Sequence, residues 1–187
     1  MPESNIIPIL VILPVLAALV TLLATPKHRP TAAGPIAFIL SLIPLGIVIW
    51  MVCNFPHIAD RTDANWYFNC TYDWIPSLGI RFMMGVDTIS LWLLVLTAVL
   101  TPLSILASFK YIKERQAEFY AWMLALHAGL LGVFCAKDLL IFYLFFEFTL
   151  IPMFFIIGIW GGADRRKAAG KFFLFTFAGS VLTLVSL

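Results

Sequence analysis

Charge is what this sequence has least of. Only 12% of its 187 residues are Asp, Glu, Lys or Arg, and 62% are hydrophobic, with a mean hydropathy of +1.00. An average soluble domain carries about 25% charged residues, so an ordinary soluble globule is excluded. No nucleic-acid partner is expected. Cysteine is scarce too. Cys53, Cys70 and Cys135 form neither a CxxC pair nor a zinc-ligand pattern, which excludes a cysteine-built metal or iron–sulfur site. There is no GxGxxG or Walker-type glycine loop, so no nucleotide site of those kinds is expected. No metal-ligating or cofactor-binding residue is expected in this chain.

What is present is a series of long apolar runs. A membrane-spanning helix needs about 20 mostly apolar residues. Six segments meet or approach that length: 5–24, 33–53, 89–109, 119–136, 139–160 and 168–187. The fold expected is all-α, a polytopic transmembrane helix bundle forming a single membrane domain over 1–187, with the sixth helix cut short at Leu187. The chain's end inside an apolar run reads as a truncation point. The first run is expected to be a retained helix rather than a signal peptide. Glu3 and no basic residue precede it, Pro8 and Pro14 interrupt it, and no clear cleavage site follows.

The basic residues set an orientation. Lys27, Arg29, Lys110, Lys113, Arg115, Arg165, Arg166, Lys167 and Lys171 fall on one side, and Arg61, Arg81 and Lys137 on the other. That division of nine against three predicts the first group on the cytoplasmic, matrix or stromal side. The N-terminus and the loop 54–88 then face outward. This loop carries Trp66, Tyr67, Phe68, Tyr72 and Trp74, rings suited to the headgroup region. Pro76, Ser77 and Gly79 precede an alternation through Ile80, Phe82 and Met84, and together they predict a short hairpin on the outer surface. All three cysteines map near that face; unpaired thiols are expected, with a disulfide there as the alternative. Asp87, three residues before Ser90, is expected to cap the third helix.

Charge inside the membrane is the functional signal. Glu147 lies about 12–14 Å into the fifth helix, near mid-membrane. An acid there costs a few kcal/mol, and by default marks an ion pathway. The alternative is a protonated side chain that simply hydrogen-bonds a neighbouring helix. Pro152, five residues on, withholds its donor from the Phe148 carbonyl and leaves a polar backbone group near the acid; it also reads as a harmless kink. His127 is the other candidate. With the turn between the fourth and fifth helices centred on Lys137, His127 and Glu147 lie at equal depth. His127 is thus a candidate proton relay, against the alternative of a neutral histidine bonded to a local hydroxyl or carbonyl. Lys171 is expected to snorkel to the interface, and Arg165, Arg166 and Lys167 to meet anionic lipid.

The segments Phe146-Glu147-Phe148-Thr149-Leu150-Ile151-Pro152-Met153, Ile159-Trp160-Gly161-Gly162 and Ala168-Ala169-Gly170-Lys171-Phe172-Phe173 carry a resemblance. So do Trp74-Ile75-Pro76 with Gly79-Ile80, and Gly85-Val86-Asp87-Thr88-Ile89-Ser90-Leu91. Together they resemble subunit M of NADH–quinone oxidoreductase (respiratory complex I) and its mitochondrial counterpart, NADH dehydrogenase subunit four. Phe146 and Thr88 depart from the commoner Trp and Gly of that family. The resemblance covers 74–187 and implies the N-terminal portion of a longer, proton-translocating, antiporter-like subunit with inverted five-helix repeats. Glu147 would be the proton carrier, working with a lysine beyond Leu187. NADH, FMN, iron–sulfur clusters and quinone would sit on partner subunits, and the chain would serve an enzyme without holding a redox centre. Its partners would be other membrane subunits, including neighbouring antiporter-like ones, and lipid. The membrane would be the bacterial inner membrane or the mitochondrial inner membrane. The alternative implied is a subunit of a multisubunit cation/proton antiporter.

Overall fold

In hydrocarbon every backbone N–H and C=O must be satisfied within the protein, and an apolar run does this by closing its own helical hydrogen bonds. The computed structural model describes residues 5–25, 32–59, 66–75 and 80–185. Six helices form there: α1 (Ile6–Ala24), α2 (Ala33–Ala59), α3 (Thr88–Ser108), α4 (Gln116–Cys135), α5 (Leu139–Trp160) and α6 (Arg165–Val185). Each contains a stretch of 19 to 23 residues long and apolar enough to cross a membrane. Lys27, Arg29, Arg61 and the expected Pro76–Gly79 turn lie outside the described residues.

Three helices outrun the limits set by hydropathy. α2 extends from the expected 53 to Ala59, α4 starts at Gln116 rather than 119, and α6 starts at Arg165 rather than 168. Hydropathy marks the apolar slab, whereas a helix continues as long as its backbone bonds close. Polar side chains at these ends add bonds of their own. The Asn54 amide donates to the Trp50 carbonyl at 2.8 Å, and the Gln116 amide to the Ile112 carbonyl at 2.8 Å. Arg115, whose φ is 50°, pairs with Glu118 in the first turn of α4; that carboxylate raises the Arg115 pKa.

α4 is the central helix and packs against α1, α2, α3 and α5, whereas α6 packs principally on α5. Two apolar clusters fill the interior. One joins Leu10, Leu94, Leu131 and Cys135 towards the hairpin end of the bundle; the other joins Ala17, Ile105, Tyr120 and Leu124 towards the opposite end. α3 is capped as expected: Asp87 Oδ1 accepts from the Ser90 N–H at 2.7 Å.

The long loop holds an antiparallel hairpin of β1 (Tyr67–Ile75) and β2 (Ile80–Val86). It does more than rest on the surface. At a register shift between Tyr67 and Cys70, Phe68 takes a φ of 56° and its buried ring packs beside Trp50, centroids 6.1 Å apart. Met84 bridges to Ala136, and the Lys137 N–H donates to the Met83 carbonyl at 3.1 Å. The hairpin therefore grips the α4–α5 turn. Cys53, Cys70 and Cys135 are free thiols.

Candidate functional site

α5 begins at Asp138, whose carboxylate accepts from the Leu140 N–H at 2.8 Å and fixes the first turn. Glu147 follows eight residues after Leu139, roughly 12 Å along the helix, and is half-buried. Pro152 lies within the same continuous helix, so the Phe148 carbonyl, one residue from the acid, lacks its usual N–H donor. Thr149 turns its hydroxyl back to the Phe146 carbonyl at 2.7 Å.

The partner of Glu147 is on α6: the Ser180 hydroxyl donates to Glu147 Oε1. This contact belongs to a regular seam. Gly158 faces Ala169, Phe154 packs edge-on to Phe173 with centroids 5.7 Å apart, and Glu147 meets Ser180. All three pairs are symmetric about the Ala163–Asp164 turn, as two antiparallel helices require. Gly158 would hold a methyl 3.5 Å from the Ala169 Cβ, an ordinary contact. The small residues near the turn let the two helices run close enough for Ser180 to reach the acid.

The α4–α5 pair has its own seam. Trp122 stacks on Phe155 with centroids 4.6 Å apart, Gly129 faces Phe148, and Gly132 faces Phe145. These pairs centre between Asp138 and Leu139 and not on Lys137. The shift arises because Ala136 leaves α4 in extended conformation to bridge with Met84. His127 is consequently level with Leu150, one turn displaced from Glu147. It also points elsewhere. It lies about 140–200° around α4 from Gly129 and Gly132, on the side of Leu124 and Leu131, which belong to the two clusters built with α1, α2 and α3.

His127 is 0% exposed, and neither ring nitrogen has a hydrogen-bond partner among the described residues. The expectation of a local hydroxyl or carbonyl partner is thus corrected. The buried hydroxyls of Thr21, Ser41, Thr97 and Thr101 each donate to a carbonyl of their own helix, as serine and threonine do inside helices. The structure brings Glu147 and Ser180 together, and leaves His127 apart from both. No group of three or more His, Cys, Asp or Glu side chains disposed to hold a metal occurs among the described residues. Ser180 escaped the sequence reading. Reflecting Glu147 through the α5–α6 turn would have reached it.

At the end of the bundle away from the hairpin, the Trp160 indole N–H donates to the Glu114 carbonyl at 2.9 Å, and Arg165 donates to the Ile159 carbonyl at 2.6 Å. Lys171 is exposed in the second turn of α6.

The family model "NADH-ubiquinone oxidoreductase chain 4, amino terminus" matches residues 9–134, and "NADH:quinone oxidoreductase/Mrp antiporter, TM" matches residues 136–187. The chain belongs to the NADH-ubiquinone oxidoreductase chain 4 family. Its relatives include NADH-quinone oxidoreductase subunit M of Rhodobacter capsulatus, 40% identical over 98% of this chain and 35% of that protein. F(420)H(2) dehydrogenase subunit M of Methanosarcina mazei is 37% identical over 96% of this chain and 35% of that protein. The chain therefore spans about a third of the length of these relatives. Among solved structures, a chain of respiratory complex I from Thermus thermophilus with bound NADH superposes with a TM-score of 0.77 at 25% identity, over 96% of this chain and 34% of that one. A chain of the Mrp complex from Dietzia shares the fold at a TM-score of 0.76 and 18% identity, over 96% of this chain and 18% of that one. This chain 4 family member is an integral membrane protein with the six-helix arrangement of those antiporter-like subunits.

Proposed function

We propose that the chain is part of a proton-translocating membrane subunit of an NADH–quinone oxidoreductase, and that Glu147 is its proton carrier. Family membership supports the first statement. The observation that carries the second is an ionisable acid, half-buried at the middle of a membrane-spanning helix. Intramembrane acids of this kind are expensive and serve ion pathways.

In this reading NADH, FMN, iron–sulfur clusters and quinone belong to partner subunits, and this chain moves protons in response to chemistry elsewhere. A subunit of an F(420)H(2) dehydrogenase matches about as well as those of NADH-quinone oxidoreductases, which fits an electron donor chosen outside the membrane subunit. Other antiporter-like membrane subunits are the partners proposed. Relatives in Rickettsia and Rhodobacter fit a bacterial inner membrane, and one in Marchantia polymorpha fits the mitochondrial one. His127 is a candidate relay only through water, since it makes no contact with Glu147. The Mrp likeness supports the fold alone, so a cation/proton antiporter subunit is the second class to test.

The test is Glu147→Gln in the full-length subunit. The variant keeps size and hydrogen bonding and removes titration. It should assemble, and lose most proton pumping and coupled quinone reduction per assembled complex. Full pumping by the assembled variant would reduce Glu147 to a structural residue. Copurification of flavin and iron–sulfur subunits separates the redox complex from an antiporter.

A further inference from the structure

Ser180 stands on the α5–α6 seam with two acceptors in reach of one hydroxyl hydrogen. They are Glu147 Oε1 and the Phe177 carbonyl of its own helix, at 2.9 Å. A hydroxyl donates once and accepts through two lone pairs, so the two bonds cannot be donated together. Which one forms depends on the acid. An ionised Glu147 only accepts, and takes the Ser180 hydrogen. A protonated Glu147 donates its own hydrogen to Ser180 Oγ, and the serine hydrogen turns to the Phe177 carbonyl, a bond helical serines make readily. Only the O–H rotates; the two side chains stay where they are.

We infer that Ser180 is the positioning residue of the proton site, a hydroxyl that reverses its bond with the charge of Glu147 and holds the carboxyl on the α5–α6 seam in both states. The inference rests on the reading of Glu147 as proton carrier. A bond to a charged acceptor is about twice as strong as a neutral one. Ser180 is buried at 8% exposure, so bulk water does not replace it freely.

The other titratable groups around this pair are accounted for. On α5, Tyr143 lies one turn before Glu147. On α4, Glu118 and Tyr120 are remote in depth, Cys135 is level with Phe142 and packed into the cluster of Leu10, Leu94 and Leu131, and His127 points the other way. On α6, Lys171 is nine residues before Ser180 and Arg165, Arg166 and Lys167 are farther, more than about 13 Å along the axis. Among the described residues none of these is hydrogen-bonded to the carboxyl.

The test compares Ser180→Thr with Ser180→Val in the full-length subunit within its membrane complex. The two side chains have nearly the same shape and differ by the hydroxyl; Ser180→Ala serves as a third variant. Infrared difference spectra, with the Glu147 band assigned by its loss in Glu147→Gln, are recorded against pH alongside pumping. In Val and Ala the protonated carboxyl band should rise in frequency as the carboxyl loses its partner, and pumping per assembled complex should fall severalfold. Thr should match the parent in both. Superimposable Thr and Val profiles would overturn the role of Ser180, and remain decisive where Ala does not assemble. Pumping retained by Glu147→Gln would instead overturn the proton-carrier reading itself.

Discussion

Lys137 Nζ lies 5.4 Å from the centre of the Trp66 ring and 3.4 Å from Asn69 Oδ1. The cation therefore ties the start of the hairpin to the α4–α5 turn, beside the Met84–Ala136 bridge. Lys137→Met keeps the apolar stem and removes the charge. Loss of an exposed cation–π contact should raise amide exchange in β1 by about two- to fivefold, with exchange in α4 unchanged. Unaltered protection of β1 would mean the backbone bridge alone holds the hairpin.

Glycine matters unequally along the helix seams. A methyl at Gly132 would overlap the Phe145 ring, whereas one at Gly158 makes an ordinary contact with Ala169. Gly132→Ala should therefore destabilise the α4–α5 pair by about 1–3 kcal/mol through overpacking, and Phe145→Leu in the same chain should restore much of the loss. Gly158→Ala should be tolerated or slightly stabilising, since alanine is the better helix former. Thermal unfolding of the detergent-solubilised protein measures both; equal loss in the two alanine variants would contradict the packing described.

Much of this was legible in the sequence, for physical reasons that differ by residue. The six helices followed from apolar run length, because lipid leaves the backbone no other way to satisfy itself. Asp87 was legible as a cap because the requirement is local. Glu147 was legible because an acid in an apolar run is costly. The orientation of His127 was not, because equal spacing from a turn gives depth and says nothing of azimuth, and the depth moved when Ala136 left the helix to bridge with Met84. Ser180 was hidden because a serine in a membrane helix is ordinary until its partner across the seam is known. The helix ends at Ala59, Gln116 and Arg165 were hidden because polar turns continue a helix outside the apolar slab.

The orientation itself is open to measurement. With native cysteines replaced, a cysteine at Lys113, beside the inner basic loops, should react with an impermeant thiol reagent only from the cytoplasmic or matrix side. One at Asp73, exposed on β1, should react only from the outside. The reverse pattern would invert the assignment, and with it the direction in which any half-channel to Glu147 opens.

Glu147 and His127 make opposite predictions although both are ionisable groups in the membrane. Glu147→Asp keeps the acid but draws it back by one methylene, away from Ser180, so it should retain part of the pumping that Glu147→Gln loses. His127 is buried without a partner for either nitrogen among the described residues, and an unsatisfied buried polar group costs about 1–3 kcal/mol. His127→Leu fills most of the same space and removes that demand. It should leave thermal stability unchanged or raised and take away less pumping than Glu147→Gln, because the histidine faces the α1–α3 side rather than the α5–α6 seam. His127→Ala should be the less stable of the two variants, since it leaves a cavity. Pumping per assembled complex, measured for all four variants in one membrane preparation, ranks them. If His127→Leu is as inactive as Glu147→Gln while remaining as stable as the parent, the histidine is an obligatory relay, and the proton path must run through the core between α1, α3 and α4.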